Sequence, residues 1–405
     1  MMTKDANMGI SKSAFTSLFL TVFLDSLGFM MVFSYLYFFA ASLGATPLVY
    51  GTLLAVYAVM QLIFAPALGR ISDRFGRRRV LIISTFGTGL SLLVFGLANS
   101  IATLFVARAI SGMMGATFPV AQAYVSDATD QKSRLRYMGF LGAGLGLGLA
   151  VGPAVGGVLS DAFGYAMPSL FGAVLGFANC AMTYLRLPET QRNNDNAKPE
   201  TSLGALLSRS GMKTILGTYF VFFLAFLVMT TTYSPWASDR LGFGPMQVGL
   251  SLFYIGTLLV VVQGAFVPKM SAKFSPWVLM AAGLASFLVG LVTLAFTVGI
   301  QGLAVADTML ALGYGLAVPS FGTVISTIAA AESRGTAFGV AQSLQGGAQV
   351  VSPILGNSVL ALGLGLGFDG LSFIASFGIV LPSLMVMAVL ARGNTLRVPA
   401  TSGSR

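Results

Sequence analysis

Residues Gly69–Val80 read Gly-Arg-Ile-Ser-Asp-Arg-Phe-Gly-Arg-Arg-Arg-Val, and the rest of the chain is read outward from them. The stretch lies between two apolar runs, Leu48 to Leu68 before it and Leu81 to Leu97 after it. It gathers five arginines and one aspartate in a chain of which only 9% is charged. Ionised groups at that density cannot sit in hydrocarbon, so the stretch reads as a tight turn that reverses the chain at a membrane surface. A topology anchor on the cytoplasmic side accounts for the arginines. It does not account for Gly69, Asp73 and Gly76 at their fixed offsets.

Composition agrees with a membrane protein. The chain has 405 residues, is 56% hydrophobic and has a mean hydropathy of +0.84. Soluble domains carry about 25% charged residues. At about 20 residues per span, this length has room for about a dozen helices. Forty-nine glycines suit close helix packing in lipid. The single cysteine, Cys180, excludes an internal disulfide and a thiolate metal site. With no histidine, the commonest metal ligand, the serine–histidine hydrolase arrangement and a histidine proton switch are all removed. The sequence contains no Gly-x-x-x-x-Gly-Lys-Ser/Thr loop for ATP. No metal, no cofactor and no enzymatic chemistry are expected.

The hydropathy pattern predicts an all-α membrane protein of twelve spans. The first half gives 14–40, 47–69, 78–97, 101–125, 135–160 and 165–186, and the second 213–237, 246–268, 276–298, 301–328, 335–361 and 367–391. Between them the polar stretch LPETQRNNDNAKPETS marks a cytoplasmic linker over 187–212, which separates a six-helix bundle at 1–186 from another at 213–405. The lysines near the start precede an apolar run that continues to Ala40 without a small-residue cleavage site, so this reads as an uncleaved first span. With both termini in the cytoplasm, every one of the 23 lysines and arginines falls inside except Arg240, which falls outside, and Arg108, which lies within a span. The formal charge of +10 is thus a topology signal that calls for no nucleic-acid partner.

The halves repeat. At a shift of 200 residues Pro119 meets Pro319, Ser133-Arg134 meets Ser333-Arg334, Gly139 meets Gly339, Pro153 meets Pro353 and Gly156 meets Gly356. At a shift of 199, Arg70-Ile-Ser-Asp73-Arg74-Phe75 meets Lys269-Met-Ser-Ala272-Lys273-Phe274, where the aspartate has been lost. Two six-span halves in the same orientation are the parallel-repeat pattern of a two-bundle transporter, with a site near the midplane.

Three ionic side chains fall inside spans, where a charge is a functional hypothesis by default. Asp25 lies in FLDSLGFMM of span 1, roughly 16 Å from its cytoplasmic end, and Arg108 lies in span 4, roughly 10 Å from the outside. In a core of about 30 Å these depths make the two natural partners. Asp307 of span 10 is offset by 199 from Arg108, so it belongs to the mirror layer of the other half. It could titrate, bind a cationic group or pair with Arg108. Span 5 carries Gly144, Gly148, Gly152 and Gly156, four glycines on one helix face. Polar and aromatic cavity candidates at middle depth are Tyr57, Gln61, Tyr254, Tyr314, Gln342 and Gln345.

Gly69-Arg70-Ile-Ser-Asp73-Arg74-Phe-Gly76-Arg77-Arg78 resembles the loop 2–3 signature of the major facilitator superfamily. The resemblance covers the chain: twelve spans, a central linker and a degenerate second copy. It implies that Asp73 faces the start of span 11, near Gly335, and that the basic residues engage an acid at the end of span 4, which Asp127 fits. Gly152-Pro153-Ala-Val-Gly156-Gly157 resembles the span 5 signature of the drug:proton antiporters in this superfamily, which marks exporters; a plain packing face with a proline kink accounts for the same residues. Within the superfamily, LLAVYAVMQLIFAPALGRISDRFGRRRVLIIS from Leu53 and FLDSLG of span 1 are similar to tetracycline-resistance efflux proteins. Those carry further acids in spans 3 and 9. Here Ser91 stands at about the matching place in span 3, and span 9 (Trp277 to Val298) has no acid, which leaves the substrate open; Asp307 is a candidate replacement for one of them.

The resemblance implies a monomeric multi-pass protein of the cell membrane that exchanges a small amphipathic molecule for protons, with Asp25, Arg108 and Asp307 as coupling groups. A sugar or metabolite exporter of the same superfamily remains an alternative. A non-transporting receptor or assembly factor on this scaffold is a rival of another class; loss of Asp25 and Arg108 would have favoured it, and both are present.

Overall fold

The computed structural model describes residues 11–129, 131–190, 203–329 and 333–392; much of the expected linker (191–202) and both termini lie outside the described residues. Among the described residues all regular structure is helical, and eleven helices are long and apolar enough to cross a membrane. Span 1 is Lys12–Ser42, span 2 Pro47–Phe75, span 3 Arg77–Gly96, span 5 Gln131–Phe163 and span 6 Ala166–Arg186. Spans 7, 9, 10 and 11 are Met212–Leu241, Pro276–Phe296, Ile300–Ile328 and Arg334–Gly365. A twelfth, Leu371–Arg392, has a shorter apolar stretch. The start signals are local: Ser11, Thr46, Ser100 and Ser275 each cap a helix with their hydroxyl, and Pro47 and Pro276 occupy first helical positions where no N–H is needed.

Two spans depart from the continuous helices expected. Span 4 is two helices, Ile101–Met113 and Thr117–Ala128, because Pro119 lacks an N–H and its ring clashes with the carbonyl four residues back, that of Gly115. The freed carbonyl is satisfied from outside, by the Gln61 amide at 3.1 Å. Span 8 runs Pro245–Val261, then a π-helical turn Val262–Phe266, then Val267–Ser271. Here Pro268 meets the carbonyl of Gly264, and the wider turn absorbs the conflict. Before span 7, the short helix Leu203–Leu207 leads to Arg209, which donates to the carbonyl of Ile328 at 3.2 Å.

The chain divides into two compact units, Met1–Asn196 with Ser234–Gly256, and Ala197–Tyr233 with Thr257–Arg405. In the first, span 5 lies along span 1. A Cβ on Gly144 would press on Phe19, on Gly148 on Ser26 and Leu27, on Gly152 on Leu27 and Met30, and on Gly156 on Met31 and Ser34. The glycine face read from the sequence is therefore a line of helix–helix contact. The other side of span 5 meets span 8: Gly157 lies against Pro245, Gly249 against Pro153 and Gly256 against Ala150. The internal repeat survives in detail. Arg134 donates to the Ser126 carbonyl at 2.9 Å, and Arg334 donates to that of Ser326 at 3.2 Å.

Candidate functional site

The turn between spans 2 and 3 is a single residue, Gly76, at φ +105°, a conformation other residues adopt only with strain. A Cβ there would also collide with the carboxylate of Glu189. Glu189 accepts from the Arg78 backbone N–H at 3.0 Å, so a negative charge sits at the N-terminus of span 3, where the helix dipole favours it. The Arg78 side chain donates to the Tyr184 carbonyl at 2.5 Å and lies over the Tyr184 ring, and the Tyr124 hydroxyl donates to the Pro188 carbonyl at 2.9 Å. The Leu-Pro-Glu that follows span 6 thus straps the turn. The stretch falls within the expected linker, and the sequence signal for its role is an isolated acid, Glu189, directly after a helix end.

Arg77 holds the turn to the end of span 4. Its Nε lies 2.9 Å from the Asp127 carboxylate, and its guanidinium also engages Asp73 and, at 2.7 Å, the Ser72 hydroxyl. Arg77 and Asp127 are largely covered, whereas Asp73 is 51% exposed. Arg70 and Arg74 are exposed, and a side chain at Gly69 would meet nothing within 4 Å.

The intramembrane ions are arranged otherwise than their depths suggested. Asp25 accepts a hydrogen bond from Thr88 of span 3 at 2.8 Å, and the buried Thr117 hydroxyl has no hydrogen-bond partner among the described residues. Arg108 is 1% exposed and stands in an aromatic box: its guanidinium carbon is 5.8 Å from the ring centroids of Phe33 and Tyr57 and 5.4 Å from that of Phe95. Cation–π attraction from three faces compensates for part of its lost hydration. Its Nε and one terminal nitrogen have no hydrogen-bond partner among the described residues. The expected Asp25–Arg108 pair is not formed; the described ion pairs join Arg77 to Asp73 and to Asp127. The physical reason is depth. Span 1 has 31 residues, about 46 Å of helix against a core of about 30 Å, so counting turns from a helix end misplaces a side chain. Arg108 reaches the Phe33 level, eight residues or about 12 Å beyond Asp25.

In the second unit Asp307 is 1% exposed and both its oxygens lie within hydrogen-bond reach of the Tyr233 hydroxyl, at 3.2 and 3.1 Å. Tyr233 is offset by 198 from Tyr35, which lies in the field of Arg108. The Tyr35 hydroxyl itself lies 2.5 Å from the Ser169 hydroxyl oxygen. Of the cavity candidates, Gln61 is engaged by the broken span 4 and Tyr57 by Arg108 and Phe29. Gln345 accepts from Tyr219 at 2.9 Å, Tyr314 joins an aromatic cluster with Phe222, Phe223 and Phe226, Gln342 is exposed, and Tyr254 is 40% exposed. The cluster went unread in the sequence, although Tyr219, Phe220, Phe222, Phe223 and Phe226 follow one another in span 7.

A one-residue turn strapped by charge, ionic groups inside spans and a doubled set of contacts are those of a two-half membrane carrier. The Major Facilitator Superfamily model matches residues 18–353. The chain belongs to the Major Facilitator Superfamily. Among relatives, it is 31% identical to the class D tetracycline resistance protein of Salmonella ordonez over 76% of this chain and 78% of that protein. It is 30% identical to the class B tetracycline resistance protein of Escherichia coli over 76% and 77%. A bacterial homolog of the human lysosomal transporter Spinster shares the fold, with a TM-score of 0.76 and 15% identity over 95% of this chain and 98% of that structure. As a member of this superfamily the chain is a multi-pass membrane transporter of small molecules.

Proposed function

We propose that this transporter exports small amphipathic compounds from the cell in exchange for protons, as a monomer with both termini in the cytoplasm. The observation that carries the reading is Asp25. It is a carboxyl within a membrane span, held by one hydroxyl and without a cation at ion-pair distance among the described residues. An uncompensated carboxylate in low dielectric is costly, so taking up a proton is its way to neutrality. Relatives named for tetracycline and multidrug resistance support export of drug-like compounds. The experiment is a growth screen of an efflux-deficient host against many drugs, comparing wild type with Asp25→Asn. Protection by wild type and its loss in the variant supports the reading; no protection against any compound, with the protein present in the membrane, overturns it.

Substrate charge follows from the intramembrane inventory. The spans read from the sequence contain two acids, Asp25 and Asp307, and one base, Arg108, so by count they carry a net negative charge when both acids are ionised. Such a region favours cationic or zwitterionic lipophiles over anions. Asp307→Asn should weaken transport of a cationic substrate more than that of a neutral one. Equal loss of both would assign Asp307 to coupling or structure, and an anion as the best substrate would refute the charge argument.

Asp73 is the gating group of this reading. By the loop 2–3 resemblance, its half-exposed carboxylate is expected to exchange Arg77 for the start of span 11 and so to latch the cytoplasmic side, where a helix dipole contributes about 0.3–1 kcal/mol. Asp73→Asn should shift the distances between spin labels on the cytoplasmic ends of spans 2 and 11 toward the open state. An unchanged distribution counts against the latch.

A further inference from the structure

Four residues of span 1 recur at every fourth position: Ser13, Ser17, Thr21 and Asp25. They climb one flank of the helix, from an exposed hydroxyl at the loop 2–3 end to the intramembrane carboxyl. Spans 3 and 6 add polar groups to the same flank. The hydroxyls of Thr183 and Thr21 are 3.0 Å apart, and the Asn179 amide donates to the Thr21 carbonyl at 3.1 Å. Ser84 lies one turn nearer loop 2–3 than Thr88, the donor to Asp25. Ser17, Thr21, Ser84, Asn179 and Thr183 are each at most 2% exposed.

Three atoms of this seam, the Ser17 and Ser84 hydroxyl oxygens and the Asn179 carbonyl oxygen, have no hydrogen-bond partner among the described residues. Bare buried polar atoms are rare, because each has given up its hydration without a replacement. Beyond Asp25 the same three spans close against each other. A Cβ on Gly176 would come 2.7 Å from the Gly89 Cα, and Leu92 fills the space between Gly28 and Gly172, at 3.2 and 3.0 Å from their Cβ positions. Between spans 1, 3 and 6 the polar lining therefore runs from Asp25 toward the loop 2–3 end. There Ser17 is one turn, about 6 Å, from the exposed Ser13.

We propose that this seam between spans 1, 3 and 6 is a hydrated proton path that joins Asp25 to the loop 2–3 surface within the first unit. The proposal rests on the reading of Asp25 as the proton carrier. Hydroxyls suit the task because each donates and accepts at once. Water bonded to the bare oxygens, at about three partners per molecule, completes the chain between them. Each step breaks one O–H bond and forms another, so a proton leaving the Asp25 carboxyl emerges in the aqueous phase and the hydroxyls keep their composition. Tyr57 of span 2 is a titratable group in the field of Asp25, and the described polar residues of the seam, Ser17, Thr21, Ser84, Asn179 and Thr183, are uncharged.

Two measurements without substrate test this. The first follows thiol hydrogen–deuterium exchange by the S–H infrared band in a Cys180→Ser background. Ser84→Cys should exchange promptly on transfer to heavy water, whereas Leu92→Cys, in the closed region, should not. Exchange of Ser84→Cys as slow as that of Leu92→Cys overturns the hydration. The second follows proton uptake by the purified protein after a rapid pH jump, taking wild type minus Asp25→Asn as the Asp25 signal. Thr21→Val with Ser84→Ala should slow that signal at least about tenfold, as one added transfer barrier of about 1.4 kcal/mol would, and leave its final amplitude unchanged. An unchanged rate overturns the path while the role of Asp25 stands. Absence of any Asp25-dependent uptake in the wild type, at every pH the protein tolerates, overturns both.

Discussion

Asp25→Asn is expected to reduce proton-driven accumulation in inverted vesicles to the level of vesicles that lack the protein. The substitution is nearly isosteric. The amide oxygen of asparagine can still accept from the Thr88 hydroxyl, which lies 2.8 Å from the carboxyl in the wild type, so the local packing of spans 1 and 3 is kept. What is lost is titration. A side chain that is neutral at every pH cannot alternate between a protonated and an ionised state, and a proton gradient then has nothing to act on. Downhill movement of the same compound, and its binding, should persist to a measurable degree, because those need no change of protonation. Uphill transport by the variant at the wild-type rate would remove Asp25 from the coupling mechanism. Loss of uphill and downhill transport together would point to a structural role. The absence of an Asp25–Arg108 ion pair sharpens the expectation. Were the two paired, neutralising Asp25 would strand a buried guanidinium and destabilise the protein by about 3–5 kcal/mol. Arg108 is held by three aromatic rings instead, so Asp25→Asn should melt close to the wild type.

Gly156→Val is expected to have the largest effect on stability. A Cβ at this position already overlaps the Met31 carbonyl of span 1 and comes 2.7 Å from the Ser34 hydroxyl oxygen. Backbone cannot yield as a flexible side chain would, so spans 1 and 5 must separate. Separation loosens the neighbouring contacts at Gly148 and Gly152, which belong to the same line. Overpacking of a well-filled interior costs about 1–3 kcal/mol, and the valine branches take this case to the top of that range. Thermal unfolding in detergent can be followed by a thiol-reactive dye on Cys180, the single cysteine. Gly139→Val is the control, since a Cβ there meets nothing within 4 Å on the same helix. A similar fall in melting temperature for both would mean that helix propensity, not close approach, explains the glycines.

The sequence by itself determined what depends on neighbours along the chain. Hydropathy fixes which stretches enter lipid, because an unsatisfied backbone in hydrocarbon leaves the helix as the solution for each. Ser11, Thr46-Pro47 and Ser275-Pro276 mark helix starts by short-range hydrogen bonding and by a missing N–H. Gly76 marks the sharp turn, and the spacing-four glycines of span 5 mark a contact face. The repeat at 200 residues aligns Arg134 with Arg334, and the two donate to equivalent carbonyls, those of Ser126 and Ser326.

Tertiary structure alone decided which side chains meet. How far a helix is rotated and slid against its neighbours is set by packing over its whole length, and a span longer than the hydrocarbon is thick has no fixed origin from which to count depth. That freedom put Arg108 two turns from Asp25 and gave the carboxyl to Thr88. Pro119 breaks span 4, which was expected to be continuous, and that Gln61 satisfies the carbonyl of Gly115 depends on span 2 lying alongside. Glu189 stands 113 positions after Gly76 in the chain, yet its carboxylate lies where the Cβ of any other residue at Gly76 would be. Such a contact leaves no periodic trace in the sequence, because its partners are joined through the packing of spans 3 and 6 and not through any local preference of the backbone.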